Sequence, residues 1–276
     1  MRNKKHIFST SDLMNIGQQS YFYKVNKLSA EDIEFVRQVF LTDVSEFVNS
    51  VYSRLFSLFS LVEQLDEHLV TDQKLEILKK NYANNLEEEL QSEIESQGDK
   101  YLNELVNGDT QFFTEEEGSA HFINYICMQF LRTKKQHDNL INMATGPDKY
   151  KIIKCANLIR IVFSTKLAAN IYGDRDKFKL VLVSNDSNIP FLTCDQPVVN
   201  FLALNTPIGK QVEEFGLYYP ISPDKAVFLV KRGVFGSVTE MNFDEESVNE
   251  FNNIMVQNSH EQIYSVSEEQ LQNIRI

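Results

Sequence analysis

Cysteine is scarce and scattered: Cys127, Cys155 and Cys194 occur far apart, with no C-x-x-C pair. An odd count of this kind argues against a disulfide framework and for buried thiols in a reducing compartment. No long hydrophobic run exists either. The most apolar stretch, Ile152 to Ile171, carries Lys154, Arg160 and Lys166, each costing roughly 3 kcal/mol at a membrane centre on insertion scales, so no membrane span is expected. After Met1, the basic residues Arg2, Lys4 and Lys5 begin like a secretory leader. Ser9, Thr10, Ser11, Asp12 and Asn15 then interrupt the apolar run such a leader needs, and a cytoplasmic protein is expected.

The common catalytic signatures are missing as well. There is no G-x-G-x-x-G, G-x-x-x-x-G-K-[ST], H-E-x-x-H or G-x-S-x-G, which removes the usual support for dinucleotide, P-loop, zincin and α/β-hydrolase readings. Five histidines, His6, His68, His121, His137 and His260, never fall in a compact ligand spacing with one another or with cysteine. That argues against zinc, although a cluster assembled from distant residues stays open. The pattern names no cofactor, partner or oligomeric state.

Basic charge is also in short supply, with 27 Lys and Arg against 39 Asp and Glu, a net charge of -12. Capture of polyanions by the surface as a whole is therefore not expected. The middle of the chain is the exception: residues 132–179 hold 11 basic and 4 acidic residues, a local net of +7 (11 - 4). Two readings are open. The segment forms a site for phosphate or nucleic acid, or its cations face the acidic helices of residues 71–117 within the same molecule.

What remains is enough for a full core: 276 residues, 42% of them hydrophobic. Apolar residues at three- and four-residue spacing predict helices over about Ser29–Leu69, Thr71–Val106, Thr114–Met143 and Asp148–Ile171. Ser29 followed by Glu31 and Asp32 suits an N-cap with acids in the first turn. The third helix, with Phe122, Ile123, Tyr125, Ile126, Cys127, Met128 and Phe130, is apolar almost all round and should be buried. From Phe178 the period becomes extended, giving strands at Phe178–Ser184, Pro190–Thr193, Gly216–Tyr219, Lys225–Lys231 and Gln262–Val266, with a helix at Asp244–Asn258. Helices first and strands second predict one α+β domain over 1–276, a helical half (about 29–171) packed on a mainly antiparallel sheet (about 178–266).

Two polar features stand out. Gln129 and Arg132 lie three apart on the buried helix, where an arginine needs a carboxylate or an anionic ligand. Alternatively the helix emerges into solvent at Arg132, since Thr133, Lys134, Lys135 and Gln136 follow. The second feature is Phe191-Leu192-Thr193-Cys194-Asp195-Gln196-Pro197. A short strand delivers Asp195 to its end, and Pro197 holds Gln196 extended. Asp195 either faces a site or bonds its own backbone in an Asx turn. If Arg132 and Asp195 meet, Asp195 stays ionised, able to accept hydrogen bonds or ligate a cation. Arg132, Asp195 and Gln129 are the catalytic candidates; Gln196, Ser222 and Asp224 are binding candidates.

The segment F-L-T-C-D-Q-P-V (Phe191 to Val198) resembles the F-L-T-S-D-N-P-V motif of the bacterial domain-of-unknown-function family 4238. I-C-M-Q-F-L-R-T (Ile126 to Thr133) resembles that family's helix ending in Q-x-x-R-T, and Y-Y-P-I-S-P-D-K-A (Tyr218 to Ala226) its Y-P-L-S-P turn. Cys194 takes the place of the family's serine and Gln196 of its asparagine; His6-Ile7-Phe8-Ser9-Thr10 lacks the proline and glutamine of its H-Y-V-P-Q opening. The resemblance marks Gln129, Arg132, Asp195, Pro197, Pro220 and Ser222. Some relatives are similar to proteins encoded among anti-phage defence genes, which implies a cytosolic effector or sensor without naming a reaction. Two readings of function are open. One is a defence effector or sensor with a polar site built from Gln129, Arg132 and Asp195; an enzymatic version would have Asp195 bind a metal ion or position water while Arg132 holds a phosphate-like group. The other is a non-enzymatic binding or interaction module in which these residues form a structural polar core.

Overall fold

The structure, a computed structural model, describes residues 28–41, 49, 52–53, 56–57, 92–204, 206 and 214–274. The expected helical residues 42–48 and most of 50–91, and His6, lie outside them. The chain divides into two compact units, one of Met1–Ser20, Tyr101–Glu115 and Asp174–Ile276, the other of Tyr21–Lys100 and Glu116–Gly173.

The second unit is helical. Helix α1 (Ala30–Phe40) starts at Ser29, whose hydroxyl accepts from the Asp32 N–H while the Asp32 carboxylate accepts from the Ser29 N–H at 2.8 Å, a reciprocal capping box. It ends at Phe40, with Leu41 as its cap. The apolar period that continues past Leu41 carries no Gly or Pro to announce that stop. Helix α2 is described over 92–106. At Gly98 an added Cβ would overlap the Tyr125 ring, so glycine is what permits this close approach.

The expected helix to Met143 is two helices, α3 (Glu116–Leu131) and α4 (Lys134–Met143). Thr133 separates them because its hydroxyl accepts from the Gln136 N–H and caps α4. Likewise the helix expected to Ile171 splits at Cys155 into α5 (Lys149–Lys154) and α6 (Ala156–Gly173). Helix α3 is central as its composition predicts: Phe122, Ile123, Ile126 and Cys127 are fully buried. Burial of each of the larger side chains stabilises by about 1.5–3 kcal/mol. A separate cluster joins α1, Tyr52, Phe56 and the start of α6, where the Tyr52 hydroxyl donates to the Val162 carbonyl at 2.7 Å.

The first unit carries the sheet. Strands β1 (Phe178–Asn185), β2 (Thr193–Cys194), β3 (Val199–Asn200), β4 (Gly216–Ser222), β5 (Lys225–Lys231), β6 (Glu240–Phe243) and β7 (Ile263–Tyr264) form a five-stranded sheet, β3-β4-β5-β1-β6, and a β2-β7 pair. All pairings are antiparallel except β1 with β6. Phe191, Tyr218, Phe228, Phe243 and Phe251 form its aromatic core, with Phe251 supplied by α7 (Glu245–Asn258). Helix α8 (Glu268–Asn273) follows β7. The helical N-terminal half and the mainly antiparallel C-terminal sheet make the α+β arrangement the sequence predicts.

Candidate functional site

Asp195 leaves β2 with its carboxylate turned onto the chain just before β7. Its Oδ1 accepts the His260 N–H at 2.8 Å, and its Oδ2 accepts the N–H groups of Glu261 at 2.6 Å and Gln262 at 3.1 Å. The Asp195 N–H donates back to the Gln262 carbonyl at 3.1 Å. Both carboxylate oxygens are thus occupied by three consecutive backbone donors, which tie β2 to β7. Burial, and next the Asp195 charge, push the neighbouring Tyr264 phenol up. Gln196 is buried and turned inward, its Nε2 donating to the Val198 carbonyl at 2.9 Å. Ser222 donates to the Asp224 carboxylate at 2.6 Å, closing the exposed β4–β5 turn.

Gln129 and Arg132 belong to the helical unit. Gln129 is buried on α3, whereas the partly exposed Arg132 guanidinium pairs with the Glu95 carboxylate of α2. That partner comes from the acidic stretch, as one reading of the basic segment expects. The more deeply buried cation is Arg160 on α6, 5% exposed. It donates to the carbonyls of Arg132 at 2.6 Å and Thr133 at 3.4 Å and to Asn157 Oδ1 at 2.7 Å. A cation at these carbonyls suits the negative end of α3. Its signal in the sequence is a lone arginine inside L-I-R-I-V.

A second pair absent from the sequence reading joins α1 to α5. The buried Asp32 carboxylate meets the Lys154 ammonium. Burial works to raise the carboxyl, but the Lys154 hydrogen bond and the Ser29 N–H and hydroxyl outweigh it and hold Asp32 below the ordinary 3.8. The same hydrogen bond raises Lys154 above 10.5. Lys179 on β1 is buried and donates to the carbonyls of Gly236 at 2.7 Å and Val238 at 2.8 Å; burial, then the Arg232 charge, lowers it. Among the described residues no group of three or more His, Cys, Asp or Glu is placed to hold a metal ion, and no helix is long and apolar enough to cross a membrane.

The sheet-bearing unit has a cleft of about 550 Å³ between α7, α8 and the segment before β2. Its floor is apolar, with Ile189, Leu192, Val256 and Ile274, and its walls carry carboxamides: Asn188, Asn249, Asn252, Asn253, Gln270 and Asn273. Asn252 is buried and holds the floor, accepting from the Leu192 N–H at 2.7 Å and donating to the Pro190 carbonyl at 3.0 Å. Gln270 Nε2 donates to the same Pro190 carbonyl at 2.8 Å and anchors α8. Asn188, Asn249, Asn253 and Asn273 are exposed. Among the described residues Glu269 is the one carboxylate on the wall. The sequence signal for this cleft is the N-E-F-N-N run, three asparagines inside a helix they disfavour.

Fold and cleft together define an α+β protein with a recess lined largely by neutral hydrogen-bonding groups. The chain belongs to the family described as protein of unknown function (DUF4238), whose model matches residues 1–269. No curated protein and no solved structure matches it.

Proposed function

We propose that this is a non-enzymatic binding module of the bacterial cytosol, the sensor of the two defence roles that the family resemblance implies. In it Gln129, Arg132 and Asp195 form structural polar contacts, and the ligand enters the carboxamide-lined cleft. The observation that carries this reading is the engagement of Asp195: both of its carboxylate oxygens accept backbone N–H groups of residues 260–262, a contact that ties β2 to β7 and gives the residue a structural task. Two further facts support it. Arg132 has a carboxylate partner in Glu95 instead of an open anion site. Among the described residues the cleft walls carry six carboxamides against one carboxylate, with no His, Cys or Lys, a lining suited to orienting a neutral hydrogen-bonding ligand and poor in general acids and bases. Three buried cysteines suit a reducing compartment.

The test is a thermal-shift screen of the whole chain against neutral saccharides, nucleosides and short peptides, because a ligand that binds only the folded state raises Tm. The expected result is a ligand-dependent rise that the double variant N249A/N253A loses, with the ligand recovered unchanged. Turnover of any of these compounds that Asp195→Asn abolishes at unchanged Tm contradicts the reading.

A further inference from the structure

Resting on the binding-module reading, we infer that the cleft takes a neutral saccharide of two or more rings. Of the six carboxamides in its lining, two are spent on the fold: Asn252 on the Leu192 N–H and the Pro190 carbonyl, and Gln270 on that same carbonyl. The other four, Asn188, Asn249, Asn253 and Asn273, are exposed and, among the described residues, make no side-chain hydrogen bond. They reach one recess from three segments of chain, the loop after β1, α7 and α8.

Each free carboxamide offers a C=O acceptor beside an NH2 donor, and a hydroxyl is itself both donor and acceptor. Neighbouring hydroxyls of a sugar ring therefore fit one carboxamide, the first donating to its oxygen and the second accepting from its nitrogen. Asn249 and Asn253 stand one turn apart on α7, a rise of about 6.0 Å, so each meets its own hydroxyl pair. A single hexose ring does not supply a separate pair for all four carboxamides, which sets the size at two rings or more. The recess of about 550 Å³ lies within the range of roughly 300–1,000 Å³ usual for small-molecule sites. Its floor completes the match: Ile189, Leu192, Val256 and Ile274 give apolar contact to the C–H face of a ring whose hydroxyls point outward to the walls.

Other ligands match less of this lining. An extended peptide is held best through its main chain, and the Pro190 carbonyl and Leu192 N–H of the floor are already taken by Asn252 and Gln270. A nucleobase would find no aromatic ring to stack on among the described lining residues. An anionic sugar would meet the Glu269 carboxylate and, among the described lining residues, no lysine or arginine to pair with.

The experiment is titration calorimetry of the whole chain with maltose, cellobiose, lactose and N,N′-diacetylchitobiose. Its controls are sorbitol, which has the hydroxyls without a ring face, and the uronic acid counterpart of whichever disaccharide binds. Saturable binding of at least one disaccharide is expected, weakened by about tenfold or more in N249A/N253A and in the uronic acid, with none for sorbitol. Alanine at two exposed helical positions leaves the fold intact, which an unchanged Tm verifies. Asn273→Ala, on α8, is an independent variant of the opposite wall and should weaken binding in the same direction. Failure of all four disaccharides, unchanged binding by N249A/N253A, or equal binding of sorbitol or the uronic acid overturns the inference. If the disaccharides fail while a nucleoside or short peptide gives an N249A/N253A-sensitive thermal shift, the saccharide assignment falls and the binding-module reading survives. If turnover of a disaccharide is found that Asp195→Asn abolishes at unchanged Tm, both fall.

Discussion

At the scale of single residues, the same chemistry that makes a polar group a catalytic candidate also makes it a useful clamp. Asp195 illustrates this. The sequence correctly places it at the end of a short strand, but the donors that take up its carboxylate come from residues 260–262, 65 or more positions away, and no local pattern encodes them. Asp195→Asn replaces one acceptor with an NH2 facing a backbone N–H. It should cost about 1–3 kcal/mol, read as a lower urea midpoint at an unchanged slope. Tyr218 makes the opposite case. Its ring is fully buried in the aromatic core, its phenol is pushed up by burial, and among the described residues its hydroxyl has no hydrogen-bond partner. Tyr218→Phe should therefore be neutral or stabilising by up to about 1 kcal/mol. A loss of stability would mean the hydroxyl has an unrecognised partner. Arg132 was legible as a residue needing a carboxylate; that Arg160 is the more deeply buried cation was not, because burial depends on which face of α6 meets α3.

At the scale of elements, composition and period were reliable where both faces of an element are buried and unreliable where the chain breaks. Strands β1 and β5 were legible because their apolar runs are buried almost throughout. Strands β3 and β6 were missed: the first is two residues long, and the second is an E-M-N-F edge, buried only at Phe243, whose partner is a parallel strand far back in the chain. The breaks after Phe40, at Thr133 and at Cys155 interrupt helices without Gly or Pro, so a continuing apolar period hides them. The Asp32–Lys154 pair is how α1 and α5 are joined, and it sets a pH window. Asp32 is depressed, so its contribution is present above the unfolded value of 3.8 and is lost as pH falls through the folded value. Lys154 is raised, so its contribution is full below 10.5 and is lost as pH rises through the folded value. The stability difference between the native chain and Lys154→Met should be largest between about pH 4 and pH 10 and shrink outside it. A difference that does not change with pH would contradict the pair.

At the scale of the whole molecule, charge is divided by use. Basic residues of the middle segment are largely engaged internally: Arg132 with Glu95, Lys154 with Asp32, Lys177 with Asp174, Arg160 and Lys179 with backbone carbonyls. The acids of residues 233–274 have no lysine or arginine within that stretch of sequence. The fold class was legible from the switch of period near Phe178. The cleft was not, since it is assembled from the segment before β2 together with α7 and α8, three stretches whose individual sequences are unremarkable apart from their asparagines.

The most direct measurement sets two variants side by side, recording in each the Tm and the affinity for a neutral compound that gives a thermal shift with the native chain. The account predicts that N249A/N253A keeps its Tm within about 2 °C and loses binding, while Asp195→Asn loses several degrees and its folded fraction binds with near-native affinity. An Asp195→Asn variant that keeps its Tm and loses the protein's activity, beside an N249A/N253A variant that loses nothing, would contradict it.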